Sequence, residues 1–210
     1  MASVLSSGSV LNKVTLGCSG LAGDLHSNSV LLFEPGNASL IPGLYSAVGD
    51  EEASSLLDRA LREGIGSFDT APHYGMGLSE LRMSAFASRM NRIYTKVGRV
   101  VLPYAECKDS PLLDRQNIPC VNSIFTETKD WACVWDFSRT GVEQSFAQSC
   151  SRLTTSGIYG LRVHDCETDE RVAQLLDPYS GGIWLLREWR HSGKIKACVA
   201  AFSYAFDRPS

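Results

Sequence analysis

The feature that most constrains this chain is its alternation. Five short β-prone runs, at 13–20, 66–70, 92–98, 158–165 and 194–202, are interleaved with segments of helical apolar spacing at 51–65, 78–90, 140–153 and 181–193. Parallel strands cannot be joined by tight turns, so strand–helix–strand repetition reads as crossover connections over a parallel sheet. The predicted fold class is therefore α/β. Periodicity alone leaves open whether the sheet closes into a barrel or stays open and doubly wound. Gly17, Gly20 and Gly23 follow the first run at a spacing of three, which is not the GxGxxG dinucleotide fingerprint, and no Walker A motif occurs.

Chain length narrows the choice. Segments 24–47 and 99–137 read as insertions in strand–helix loops. Setting them aside leaves roughly 147 residues, against about 250 for a full eight-unit barrel. The expectation is one domain over 1–210: a partial barrel of the (β/α)8 TIM-barrel type, with about the first four to five βα units. Helix 51–65 lines up Ala53, Leu56, Leu57, Ala60 and Leu61, with Asp50, Glu51 and Glu52 at its start and Gly64 as its C-cap. In 140–153 the apolar face is Val142, Phe146, Cys150 and Leu153, with Thr140 and Glu143 spaced as a capping box. The stretch 99–137, rich in polar residues and prolines, reads as irregular. Trp131 and Trp135 within it suit either a lid over a substrate or a surface loop.

Charge and composition exclude several classes. Net charge is −3 and the basic residues are scattered, which argues against nucleic acid and anionic membrane as partners. The longest apolar runs, "GIWLL" and "VLLF", are far too short for a transmembrane helix. The serine-rich N-terminus has no positive n-region and no long apolar h-region, so no secretory signal is expected, and Lys13 alone is a weak basis for a transit peptide. Seven cysteines, irregularly spread and without a CxxC pair, read as free thiols in a reducing, cytoplasmic setting. No metal site is expected from that pattern.

In a parallel barrel the chemistry sits at the C-terminal ends of strands. Here the second run ends in Asp69 with Tyr74 a short loop later, the third carries Lys96, and the fourth ends in His164 and Asp165. These residue types make a proton-transfer set. A phenol is a poor acid or base near neutrality, and a nearby ammonium favours its phenolate. The ammonium needs a carboxylate to stay charged when partly buried. An imidazole orients a carbonyl or hydroxyl oxygen by hydrogen bonding. Singly, each residue has an ordinary structural explanation: Tyr74 as packing, Lys96 as solvated, His164 as satisfied by a backbone carbonyl. His73 reads as a loop residue, Asp165 as a cap, and His191 as a solvent-facing helix residue. The weight lies in the combination at successive strand ends.

The segments "FDTAPHYGMGLSE", "YTKVGR", "LRVHD" and "WRHSGKIKA", in that order, resemble the aldo-keto reductases. "YGMGLSE", "TKVGR" and "DFSRTGVEQSF" are most similar to the branch of D-threo-aldose 1-dehydrogenase and L-galactose dehydrogenase. The resemblance covers about residues 13–198. It implies a (β/α)8 barrel and reversible hydride transfer between NADP or NAD and a small sugar or aldehyde. Tyr74 would be the proton donor or acceptor, Lys96 would favour its phenolate, Asp69 would hold Lys96 and border the cofactor, and His164 would orient the reacting oxygen. It also implies a C-terminally incomplete chain: "CVAAFSYAFDRPS" lacks the family's carboxamide-holding segment, and the later strands with their phosphate-binding loops do not follow. The alternative is a non-catalytic truncated fragment unable to bind cofactor. An open half-barrel is expected to expose a strand edge and apolar interior side chains, and so to self-associate through that edge. Gly160 and Arg162 stand out in the fourth run, where a uniformly apolar strand is expected.

Overall fold

A computed structural model describes residues 14–19, 48–119, 121 and 130–201. Residues 1–13, 20–47, which include the range 24–47 read as an insertion, 120, 122–129 and 202–210 lie outside the described residues. The elements are β1 (Thr15–Gly17), α1 (Asp50–Arg62), β2 (Ser67–Asp69), α2 (Leu78–Ser84), β3 (Arg92–Val97), β4 (Arg99–Pro103), α3 (Tyr104–Cys107), β5 (Trp131–Trp135), α4 (Arg139–Arg152), β6 (Gly160–His164), α5 (Asp169–Leu176), α6 (Gly182–His191) and β7 (Ala197–Ala201).

Five strands form one sheet in the order β1-β2-β3-β6-β7, every neighbouring pair parallel. Spatial order follows chain order, with helices in the crossovers. That is the winding of a (β/α)8 barrel cut open about half-way. Strand alternation then decides what each face does. Leu16, Phe68, Ile93, Val97, Leu161 and Val163 point to one side and are buried with Leu57, Phe146, Leu153, Leu186 and Ile195 of the helical layer. Each such side chain contributes about 1.5–3 kcal/mol by burial, so this interface fixes which face is outward.

The opposite, barrel-interior face carries Ser67 and Asp69 of β2, Arg92, Tyr94 and Lys96 of β3, and Gly160, Arg162 and His164 of β6. Apolar interior side chains were expected there; the positions on β2, β3 and β6 are mostly polar, and the apolar residues are Ala197 and Val199 of β7, the latter 53% exposed. Gly160 is explained by its neighbour: a Cβ there would lie 2.8 Å from the Tyr94 ring. The expected apolar β6 is alternating for the same reason, with its polar positions all on the interior face.

Four local readings are corrected. The stretch 99–137 is not wholly irregular: β4 and β5 pair antiparallel in register, Arg99 with Trp135 through Pro103 with Trp131. Helix α4 starts one residue after Ser138, whose hydroxyl accepts from Gly141 N at 3.1 Å, so Ser138 and not Thr140 is its N-cap. Segment 169–176, unassigned by its pattern, is helix α5, capped by Thr168 with Asp169 and Glu170 in its first turn. The predicted helix 78–90 stops at Ser84 and continues as a 3-10 turn at Ala87–Arg89.

Candidate active site

The loop between β2 and α2 holds Tyr74 over the strand ends. It turns through the left-handed region at Gly75, Met76 and Gly77 (φ 62°, 52° and 94°). Gly77 has a second constraint, since a Cβ there would meet Arg152 at 2.4 Å. The start of α2 then pins the loop. Ser79 Oγ donates to Cys18 O at 2.7 Å and shares a 2.9 Å hydrogen bond with Thr70 Oγ1. Glu80, fully buried, accepts from Thr95 Oγ1 and from Arg152 Nε, each at 2.6 Å. The Ser-Glu pair thus ties α2 to β1, β3 and α4.

Lys96 is the hub. Its ammonium, on a residue 5% exposed, donates to Asp69 Oδ1 at 2.5 Å and to Thr70 O at 2.9 Å. Nζ lies 4.7 Å from the centroid of the Tyr74 ring. Burial alone would favour the neutral amine. The negative charge of Tyr74 as its phenolate and the Asp69 carboxylate outweigh it and hold Lys96 above its ordinary value, so the group is a cation. The other carboxylate oxygen, Asp69 Oδ2, is 2.7 Å from Arg162 Nε as an ion pair without hydrogen-bond geometry. Arg162, out of place in a buried strand, therefore neutralises Asp69 from β6, across the intervening β3.

His164 is also buried, and its ring meets Tyr74 edge-on at 6.0 Å and 88°. His73, read as a loop residue, does lie in the loop but is buried, its ring 5.9 Å from that of His164. Burial pushes both imidazoles well below their usual value, and the Arg99 cation lowers each further. Asp69, Tyr74, Lys96 and His164 are thus gathered at neighbouring strand ends. Arg99 escaped sequence reasoning. Its guanidinium is buried, stacks 3.7 Å above Trp135, and contacts His164 Nδ1, Asp165 Oδ2 and Asp114 Oδ2. A lone cation in the apolar run "VGRVVL" is the signal that would have exposed it. Gly98 makes the turn at φ 105° that lets β4 begin there, with the Phe137 ring 2.2 Å from any Cβ.

A cleft of about 560 Å³ opens against Trp135, walled by Leu112, Asp114, Arg115, Arg171 and Gln174. Arg171 stacks 3.5 Å from Trp135 and donates to Asp165 O at 3.0 Å, so the cleft is one side chain removed from His164. Among the described residues no helix is long and apolar enough to cross a membrane, and no three His, Cys, Asp or Glu gather as a metal site.

The sequence pattern of the Aldo/keto reductase family matches residues 38–203, which include Asp69, Tyr74, Lys96 and His164. The chain belongs to the Aldo/keto reductase family. It is similar to D-threo-aldose 1-dehydrogenase of Pseudomonas sp, 35% identical over 164 residues, covering 76% of this chain and 46% of that protein. It is 34% identical to pyridoxal 4-dehydrogenase of Microbacterium luteolum over 162 residues, covering 73% and 47%. An aldo-keto reductase from Bacillus halodurans in its holo form shares the fold at a TM-score of 0.54 and 20% identity, over 90% of this chain and 46% of that one. The chain spans about half the length of the relatives it matches.

Aldo-keto reductases generally use NAD(P). On the interior face one strand-end position is open. Gly17 pairs in register with Asp69, and among the described residues nothing lies within 4 Å of where a Cβ on Gly17 would be. The side chain of Asp69, on the adjacent strand, is 18% exposed.

Proposed function

We propose that this chain carries the proton-transfer site of an NAD(P)-dependent oxidoreductase acting on a sugar hemiacetal or small aldehyde. The observation that carries the reading is the Lys96 ammonium held between Asp69 and Tyr74. When bound, NAD(P) supplies the hydride acceptor or donor; Asp69 and Gly17 are the residues of this chain that would border it. In the oxidising direction Tyr74 takes the proton of the anomeric hydroxyl as its phenolate. Lys96 stabilises that phenolate as a fixed cation. Asp69 and Arg162 keep the cation's own surroundings neutral, so the phenol is the group free to exchange a proton. His164 donates a hydrogen bond to the reacting oxygen and orients it. A positioned proton acceptor of this kind is worth about 10²–10⁴-fold in rate. In the reducing direction the same phenol returns the proton to the new alkoxide.

The names of the two relatives, an aldose 1-dehydrogenase and a pyridoxal 4-dehydrogenase, support a small hemiacetal or carbonyl substrate. The six cysteines among the described residues are all free, which supports a reducing, cytoplasmic setting. A second reading has one observation in its favour. The chain spans 46% of its dehydrogenase relative; on that reading it would keep the four strand-end residues without holding cofactor. Titration with NADPH and NADP⁺, followed by nicotinamide fluorescence, separates the two. Micromolar binding with turnover of an aldose supports the enzyme. No binding at millimolar cofactor supports the fragment.

A further inference from the structure

We propose that Arg99 is a positioning residue: its guanidinium occupies His164 Nδ1 and so fixes His164 as a neutral imidazole whose Nε2–H is offered to the reacting oxygen. The proposal rests on the oxidoreductase reading for the identity of that oxygen, while the tautomer itself is a property of the chain alone.

The chemistry of the contact leaves one assignment. A guanidinium has N–H donors and no acceptor. Arg99 Nη1 lies 3.0 Å from His164 Nδ1, so Nδ1 must accept. A neutral imidazole that accepts at Nδ1 carries its proton at Nε2. The doubly protonated form has no lone pair at Nδ1 and would set a second cation against a buried guanidinium.

The groups facing His164 are few. Arg99 comes from β4, Lys96 from β3, Asp165 follows β6, and the rings of His73 and Tyr74 come from the β2–α2 loop. Among these the Asp165 carboxylate favours the imidazolium: Oδ2 is 3.6 Å from Nε2, beyond hydrogen-bond reach. Arg99 holds that same oxygen at 2.7 Å. One guanidinium therefore does two things. It caps Nδ1, and it binds the carboxylate that would otherwise take the Nε2 proton for itself. Arg99 is in turn fixed. Its Nε donates to Asp114 Oδ2 at 3.2 Å, its plane lies on Trp135, and its backbone carbonyl accepts from Ser145 Oγ at 2.8 Å. This is the rigid support that a fixed donor needs, drawn from the β4–β5 hairpin and α4.

The consequence for chemistry is a division of labour. His164 is a directional donor that does not exchange its proton near neutrality. Tyr74 is the group left to transfer one.

Long-range ¹H–¹⁵N correlation of imidazole-labelled protein tests this without cofactor or turnover. The chain has four histidines, and His164→Gln identifies the signals of His164. The expected spectrum shows Nδ1 at the unprotonated, pyridine-type position and Nε2 at the protonated, pyrrole-type position, unchanged from pH 8 to pH 6. In Arg99→Met the His164 signals move to imidazolium positions on acidification, with a midpoint raised by at least about one pH unit. Arg99→Lys, which restores the cation without the fork, brings the midpoint part of the way back. A wild-type His164 protonated at Nδ1, or charged at pH 7, overturns the proposal. So does a folded Arg99→Met whose His164 signals match the wild type. Failure of the oxidoreductase reading would appear instead as a correct tautomer in a chain that never binds NADPH.

Discussion

Replacing Lys96 by Met removes the cation at the centre of the site while keeping most of the side chain's apolar stem. The wild-type ammonium makes two charge-assisted bonds, to Asp69 Oδ1 and Thr70 O, on a residue 5% exposed. Breaking a buried ion pair by deleting one partner costs about 3–5 kcal/mol, most of it from the charge left behind. Here that charge is not abandoned: Asp69 retains Arg162 at 2.7 Å and 18% of its side-chain surface. The expected loss therefore sits at the low end, about 3 kcal/mol, or a fall in Tm of about 6–12 °C for a chain of this size. Turnover should drop by about 10²–10⁴, because the phenolate loses its stabilising cation. Urea unfolding and initial rates measure the two effects. The double variant Lys96→Met, Asp69→Asn makes the test sharper. Removing both charges should cost less than the sum of the single losses, since neither is left buried alone. A Lys96→Met protein within 0.5 kcal/mol of wild type, or strict additivity in the double variant, would refute the pairing.

Two further outcomes follow from buried ionisable groups. Glu80→Ala leaves Arg152 and the Thr95 hydroxyl without their shared acceptor and should cost about 3–5 kcal/mol in chemical unfolding, whereas Glu80→Gln, which keeps an acceptor, should cost about half of that. His73 and His164 are held neutral in the fold, with values well below the 6.5 of a free imidazole. Below pH 6.5 the unfolded chain binds protons that the native chain refuses. Stability from these groups is thus full above that pH and falls as pH drops toward the depressed native values. The expected loss is about 2 kcal/mol per histidine between pH 7 and pH 5, read from urea midpoints at each pH. A flat profile over that window would contradict neutral burial of both rings.

The parallel sheet was legible because its five strands and four crossover helices each carry a local pattern, down to the acidic first turn of α1. The antiparallel pair β4–β5 was not. Its two strands are separated by 27 residues containing Pro111 and Pro119, and antiparallel pairing across such a gap leaves no short-range signature. Helix α5 did carry one, in Thr168, the acidic pair after it, and Val172, Leu175 and Leu176 at helical spacing. The four candidate residues were readable as strand-end chemistry. Arg162 was readable only as an anomaly, because its reason is the carboxylate of Asp69 on a strand two places away in the sheet. Arg99 was missed because Asp114, His164 and Asp165 reach it from segments that converge only in the fold.

The central claim is that Tyr74 moves the proton and does little else. Tyr74→Phe removes one oxygen and leaves the Lys96–Asp69 pair and the ring contact with His164 in place. Parallel NADPH fluorescence titration and aldose turnover on wild type and variant is the most direct measurement. Cofactor affinity within about threefold of wild type, with turnover reduced by about 10²-fold or more, is the predicted result. A Phe variant that binds cofactor and turns over at the wild-type rate would contradict it.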